Sequence, residues 1–183
     1  MKVLHLTAGT GNYHCGSCIR DNALVGALQD LGHQALLVPL YLPLVVDGEN
    51  CSQGQPLFLG GLNTYLQQNV PLFRNAPSWV NRMLDAPSVM TRVAGVASLT
   101  HPADLGEMTL SLLNGLAGHQ AGEVRRLAVW IRDEVQPDVV VMSNGLLAGV
   151  GAAIREIGEV KVVCTLQSEL HFVDGLLEPH RGQ

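Results

Sequence analysis

KVLHLTAGTGNYHCGSCIRDNALVGALQDLGHQALLVPL, residues 2–40, decides the fold. KVLHLT (2–7) is short, mostly apolar and stopped by Gly9 and Gly11, which is how a buried strand reads. From residue 18 to 31 the period changes. Ile19, Ala23, Leu24, Ala27, Leu28 and Leu31 recur at three- and four-residue steps, predicting a helix with that face laid on a sheet. Ser17 is placed to cap its start and Gly32 to stop its end. QALLVPL (34–40) is then a second strand. Strand, glycine loop, helix, strand implies a right-handed crossover between parallel neighbours.

The same rhythm returns near the other end. Val124, Leu127, Ala128, Ile131 and Val135 mark an amphipathic helix that Pro137 stops. DVVVMS (138–143) is a β-branched buried strand. Residues 145–157 form a helix with Leu147, Val150, Ile154 and Ile157 on one side, and KVVCTL (161–166) is a further strand. Between these halves, PLFLGGLNTYLQQNV is expected to give a third strand and a short helix. Pro71, Pro77, Pro87 and Pro102 then divide several short helices, so that 61–118 reads as a helical insertion over one end of the sheet. The predicted fold class is α/β, a doubly wound parallel sheet with helices on both faces, spanning 1–166. Residues 167–183 are expected to form a loop with no stop of its own, leading toward a further part of the polypeptide.

The chain has 183 residues, enough for one domain with a substantial core. Its 15% of charged residues fall below the roughly 25% usual in soluble domains, so large buried faces are expected. A net charge of −5 offers no general attraction to nucleic acid. The longest apolar run, ALLVPLYLPLVV (35–46), is too short to span a bilayer, which needs about 20 residues. The N-terminus lacks the sustained apolar core of a signal peptide, so the expected location is cytoplasmic, with the four cysteines reduced. YLPLVV (41–46) either packs against the insertion, the favoured reading, or makes a peripheral contact with a membrane or a lipid-linked acceptor.

The loop after the first strand admits several chemistries. A dinucleotide fingerprint needs a third glycine and an acid ending the second strand; here His14 follows Gly11 and the strand ends VPLY. Zinc needs four ligands, and Cys15, Cys18 and His14 supply three at most. CGSC at a helix start suits a thiol redox module using Cys15 and Cys18, although the repeated strand–helix units downstream do not. The reading favoured here treats the cysteines as packing residues. The amides around Gly16, Ser17 and Cys18, with Arg20 in the first turn, then form an anion pocket at the carboxyl end of the first strand.

Three stretches, in order and spacing, resemble the N-terminal domain of GT-B glycosyltransferases of the family 4 retaining type, a group like glycogen synthase in its N-terminal Rossmann-like domain. MKVLHLTAGTGNYHCGSCIRDNALVGALQDLGHQALLVPLY (1–41) is similar to the family's first strand, glycine loop and helix. QPDVVVMSNGLLAGVGAAIRE (136–156) is similar to its later P-D-V-V strand and following helix, and VKVVCTLQSELHFVDGLLEPHR (160–181) to the next strand and loop. The resemblance implies one half of a two-domain enzyme that moves a sugar from a nucleotide-diphosphate donor to a hydroxyl on a glycan, lipid or small molecule. The other Rossmann-like domain, carrying most of the donor site, would be the missing partner, and the half alone would not turn over. No cofactor and no metal are implied; the nucleotide sugar is a co-substrate.

By the same resemblance, Gly16, Ser17 and Cys18, with Cys15, meet the donor phosphates, where Arg20 of the anion pocket joins them, and Asn144 faces the acceptor. On the acceptor side Glu169 is placed to orient a sugar hydroxyl, and His14 to hydrogen-bond a phosphate or sugar. Gln167 stands where many relatives carry a His near the reacting sugar. It can hydrogen-bond a hydroxyl but cannot titrate, which leaves the catalytic group unassigned. Each residue also has a plainer use. Asn144 suits the cap of helix 145–157, Glu169 and His14 suit solvated loops, and Arg20 suits an exposed helix face. Tyr65, Trp79 and Trp130 read as core. A non-catalytic nucleotide- or sugar-binding domain is a further alternative.

Overall fold

A computed structural model describes residues 1–9, 15–75, 80, 105–167 and 169–182. Four parallel strands form one sheet: β1 (Lys2–Thr7), β2 (Gln34–Pro39), β3 (Val139–Met142) and β4 (Lys161–Cys164), in the order β2-β1-β3-β4. The register places Leu4 beside both Leu36 and Val140, and Val140 beside Val162. The central strand β1 is buried almost throughout, His5 and Thr7 included.

The two faces of the sheet bury different helices. α1 (Gly16–Asp30) covers one, where Val3, Ala35 and Leu37 meet Cys18, Val25 and Leu44. On the other face Leu4, Leu6, Val38, Val140 and Met142 meet α4 (Ala121–Trp130) and α5 (Ala148–Gly158). Alternation along β1 therefore sends Leu4 and Leu6 to one side, and His5 and Thr7 with Val3 to the other. α4 runs on as a π turn (Ile131–Val135) and ends at Gln136 in the left-handed conformation, φ 50°. α5 follows a 3-10 turn (Gly145–Leu147). Each fully buried leucine of this core contributes about 2 kcal/mol through loss of water contact.

The connection from β2 to β3 carries α2 (Gly61–Asn69), a 3-10 turn (Pro71–Asn75) and α3 (Gly106–Leu113). These are the described parts of the expected insertion; Pro77, Trp79, Pro87 and Pro102 lie outside the described residues. The expected strand in PLFLG is absent. Phe58 and Leu59 are buried in irregular chain, with Leu59 at φ 53°, and Phe58 stacks at 4.9 Å on Trp130. Trp130 is thus packed against the core, as read from sequence. YLPLVV is mostly packed too, but not only against the insertion: Leu44 and Val46 join the cluster beneath α1. The segment 167–183 is not wholly loop, since α6 (Glu169–Asp174) and a 3-10 turn (His180–Gly182) form there.

α1 departs from its sequence reading in two ways. It starts two residues early, with Cys15 and not Ser17 at the cap position. Its buried residues are Cys18, Asp21 and Val25, whereas Ile19, Leu24 and Leu31 are exposed. The apolar period pointed to the wrong face because a carboxylate, Asp21, is drawn inward by polar groups on β1.

Candidate functional site

In the order β2-β1-β3-β4, the chain leaves β1 toward β2 on one side and reaches β3 on the other. The crevice outside the carboxyl ends of β1 and β3 is therefore the switch point at which open α/β sheets accept ligands. The predicted site residues that are described all lie at this end of the sheet. His14 lies outside the described residues.

Beyond β1 the chain turns at Gly9, φ +88°. A Cβ there would fall 1.7 Å from the Leu42 carbonyl oxygen, so this glycine serves close packing of two loops. α1 then begins at Gly16. Cys15 caps it through sulfur: its Sγ accepts the Cys18 N–H at 3.4 Å, and the Ser17 hydroxyl lies 3.0 Å from the same sulfur. The Ile19 N–H is taken by the Cys15 carbonyl. Of the helix-start donors expected to meet an anion, the Cys18 amide is thus occupied by sulfur, whereas the Gly16 amide has no partner among the described residues.

Arg20 is half exposed, and its Nε and Nη2 both donate to Asp21 Oδ1, at 3.2 and 2.7 Å. Asp21 is fully buried and collects more. Thr7 Oγ1 donates to its Oδ2 at 3.0 Å, and His5 Nε2 lies 3.3 Å from Oδ1. The His5 contact is close but poorly directed: neither ring nitrogen has a well-aligned partner among the described residues, so it acts as an electrostatic neighbour. Burial works against the charge on Asp21, but His5 and Arg20 outweigh it and bring the carboxyl pKa down to about 2. Asp21 thereby fixes a guanidinium at the mouth of the helix start. Neither Asp21 nor His5 was singled out from sequence. The available signal was a His and a Thr two apart on one face of an otherwise apolar strand.

The acceptor-side residues are arranged differently. Asn144 Oδ1 accepts the Leu146 N–H at 2.8 Å and caps the turn before α5, the plainer of its two expected uses. Glu169 Oε1 accepts the Gly145 N–H at 2.8 Å and Oε2 the Gln167 N–H at 2.6 Å. Burial raises its pKa, but these amides reverse the effect and leave the carboxyl below its ordinary range. Glu169 is therefore not a solvated loop charge. Gln167 Nε2 donates to the Ser143 carbonyl at 2.6 Å, tying the end of β4 to the end of β3. Asn144, Gln167 and Glu169 form one connected group that satisfies loop backbone. Ser143, whose carbonyl takes the Gln167 amide, donates its hydroxyl to the Leu6 carbonyl at 3.3 Å and so joins this group to β1.

Tyr65 lies in α2, but its side chain is outside the description. Among the described residues no group of three or more His, Cys, Asp or Glu could hold a metal ion, and no helix is long and apolar enough to cross a membrane. A depression of about 340 Å³, lined among others by Gln136, Asp138, Glu159 and Lys161, opens at the opposite end of the sheet. It gathers none of the predicted site residues. Comparison with family models, with curated proteins and with solved structures finds no match to the chain.

Proposed function

We propose that the chain is the acceptor-side, Rossmann-like domain of a GT-B retaining glycosyltransferase that uses a nucleotide-diphosphate sugar. One observation carries the reading. A helix start whose Gly16 amide has no partner among the described residues, beside an arginine held by Asp21, stands at the carboxyl end of β1 in an all-parallel sheet. Such a helix start attracts negative charge. Arg20 is held through its Nε and Nη2 by Asp21, and its Nη1 would donate to a second oxygen of the same anion. Charge that develops on a departing diphosphate would be stabilised there without a metal. The donor base and sugar would be held by the second domain, and the acceptor would lie over the loops after β3 and β4, where Asn144, Gln167 and Glu169 set the backbone.

The test is turnover by the polypeptide that joins this chain to its second domain, with uridine, guanosine and adenosine diphosphate sugars as donors. Nucleoside diphosphate should be released with sugar transferred in the same anomeric configuration, and Arg20→Ala should cut kcat/KM by roughly 10- to 100-fold. Absence of release with every donor would overturn the reading.

A further inference from the structure

The four cysteines are free, and they are not alike. Cys51 directs its thiol at the Asn22 carbonyl, and burial with nearby Glu49 and Asp30 holds it protonated. Cys164 is exposed, but burial of its sulfur and the neighbouring Glu169 likewise push its pKa up. Cys15 and Cys18 form a pair. Cys15 is part-exposed at the cap of α1, where its sulfur faces the Cys18 amide and the Ser17 hydroxyl. Cys18 is fully buried one helical turn on, its thiol directed at the Gly9 carbonyl at 3.6 Å and 4.0 Å from the same Ser17 hydroxyl that lies against the Cys15 sulfur. One cysteine is part-exposed with its sulfur facing an amide and a hydroxyl; the other is buried, and the Ser17 hydroxyl lies between the two sulfurs.

We propose that Cys15 and Cys18 form a thiol–disulfide exchange site, with Cys15 as the attacking sulfur, Cys18 as the resolving sulfur and a small disulfide of the glutathione type as co-reactant. The Cys15 thiolate attacks one sulfur of glutathione disulfide, forming a mixed disulfide and releasing one glutathione thiolate. Cys18 then gives its proton to a glutathione thiolate and attacks the Cys15 sulfur, releasing the second glutathione. Two protein thiols are oxidised to one disulfide, and one glutathione disulfide is reduced to two thiols. The Cys18 donor bond and the Ser17 hydroxyl draw the Cys15 pKa down to about 5 against the effect of burial, so the attacking form is present at neutral pH. The proton shared with Cys15 holds Cys18 as a thiol until Cys15 has reacted.

The exchange stands independently of the glycosyl-transfer reading; its consequence for the anion pocket rests on that reading. A Cys15 thiolate places a negative charge at the helix start proposed for the diphosphate. Oxidation removes that charge, so the disulfide form should hold the anion more tightly.

The experiment exposes the native 183-residue chain to glutathione disulfide, quenches with acid and locates the products by peptide mass. The expected product is a disulfide within the peptide carrying residues 15 and 18, with Cys51 and Cys164 unmodified. Cys18→Ser should stop at a glutathione adduct on Cys15. Iodoacetamide at pH 6 on the unmutated protein, which needs no variant to fold, should label Cys15 at least about tenfold faster than Cys164. Labelling of Cys15 no faster than Cys164, or a lasting Cys15 adduct in the unmutated chain, would overturn the proposal. Uridine diphosphate titrated into both forms should bind the oxidised one several-fold tighter, as loss of one nearby like charge implies. Equal affinity would remove the coupling. Binding to neither form would sink the diphosphate reading and leave the exchange site standing.

Discussion

Asp21 is the residue on which the carboxyl end of the sheet depends. It is a fully buried carboxylate surrounded by Thr7, His5 and Arg20, and truncating one member of such a group leaves the others desolvated. Asp21→Ala should cost about 3 kcal/mol in urea unfolding, with Arg20 freed from its position. Because the folded pKa, about 2, lies below the ordinary 3.8, the unfolded chain binds the proton more readily. The contribution is therefore complete above about pH 4 and fades as pH falls through about 2. Unfolding followed from pH 5 to pH 2 should show a steeper loss for the unmutated chain than for Asp21→Asn. Parallel curves would contradict the assignment. Gly9→Ala puts a Cβ into the Leu42 carbonyl at a positive φ, and should cost roughly 2–3 kcal/mol by the same measurement. A change below about 0.5 kcal/mol would mean that the turn adjusts freely.

At the scale of elements, the strands and their order along the chain were legible because each is a short, β-branched or leucine-rich run bounded by Gly, Pro or polar residues. β1, β2, β3 and β4 fall within two residues of their expected ends. The helix before β3 was legible for the same kind of reason: Val124, Leu127, Ala128, Ile131 and Val135 are all buried. α1 was legible as a helix but not in its orientation. A pattern of apolar spacing cannot show that Asp21 is drawn inward by partners 14 and 16 residues earlier on β1. The PLFLG stretch misled because an apolar run reads as strand, whereas Leu59 takes a left-handed conformation that no ladder admits. Of the candidate site, the helix-start cluster could be read from CGSCIR. The group Asn144, Gln167 and Glu169 could be placed at the right end of the sheet, but not given its backbone-binding role, since the amides it satisfies come from other loops. Glu169→Ala removes two short acceptor contacts and should speed amide exchange at Gly145 and Gln167, with a loss of about 1–2 kcal/mol. Unchanged exchange at both amides would contradict the bonding described.

Across the whole molecule, the sheet is asymmetric. β1 is covered on both faces and paired on both sides, whereas β4 is an edge strand with Val163 half exposed. Leu166 and Leu170, just beyond it, are exposed as well. Native-state hydrogen exchange should find the slowest amides in β1 and β3 and much faster ones in β4. Equal protection across the sheet would mean that β4 is covered in solution. The crevice above β1 and β3, at the start of α1, is the proposed anion site for a nucleoside diphosphate. The most direct measurement is an amide nitrogen–proton spectrum of the chain titrated with uridine diphosphate. Shifts should centre on Gly16, Ser17 and Arg20, spread to Gly145, and weaken in Arg20→Ala. An unperturbed helix start, or shifts confined to the depression around Gln136 and Lys161 at the other end of the sheet, would contradict it.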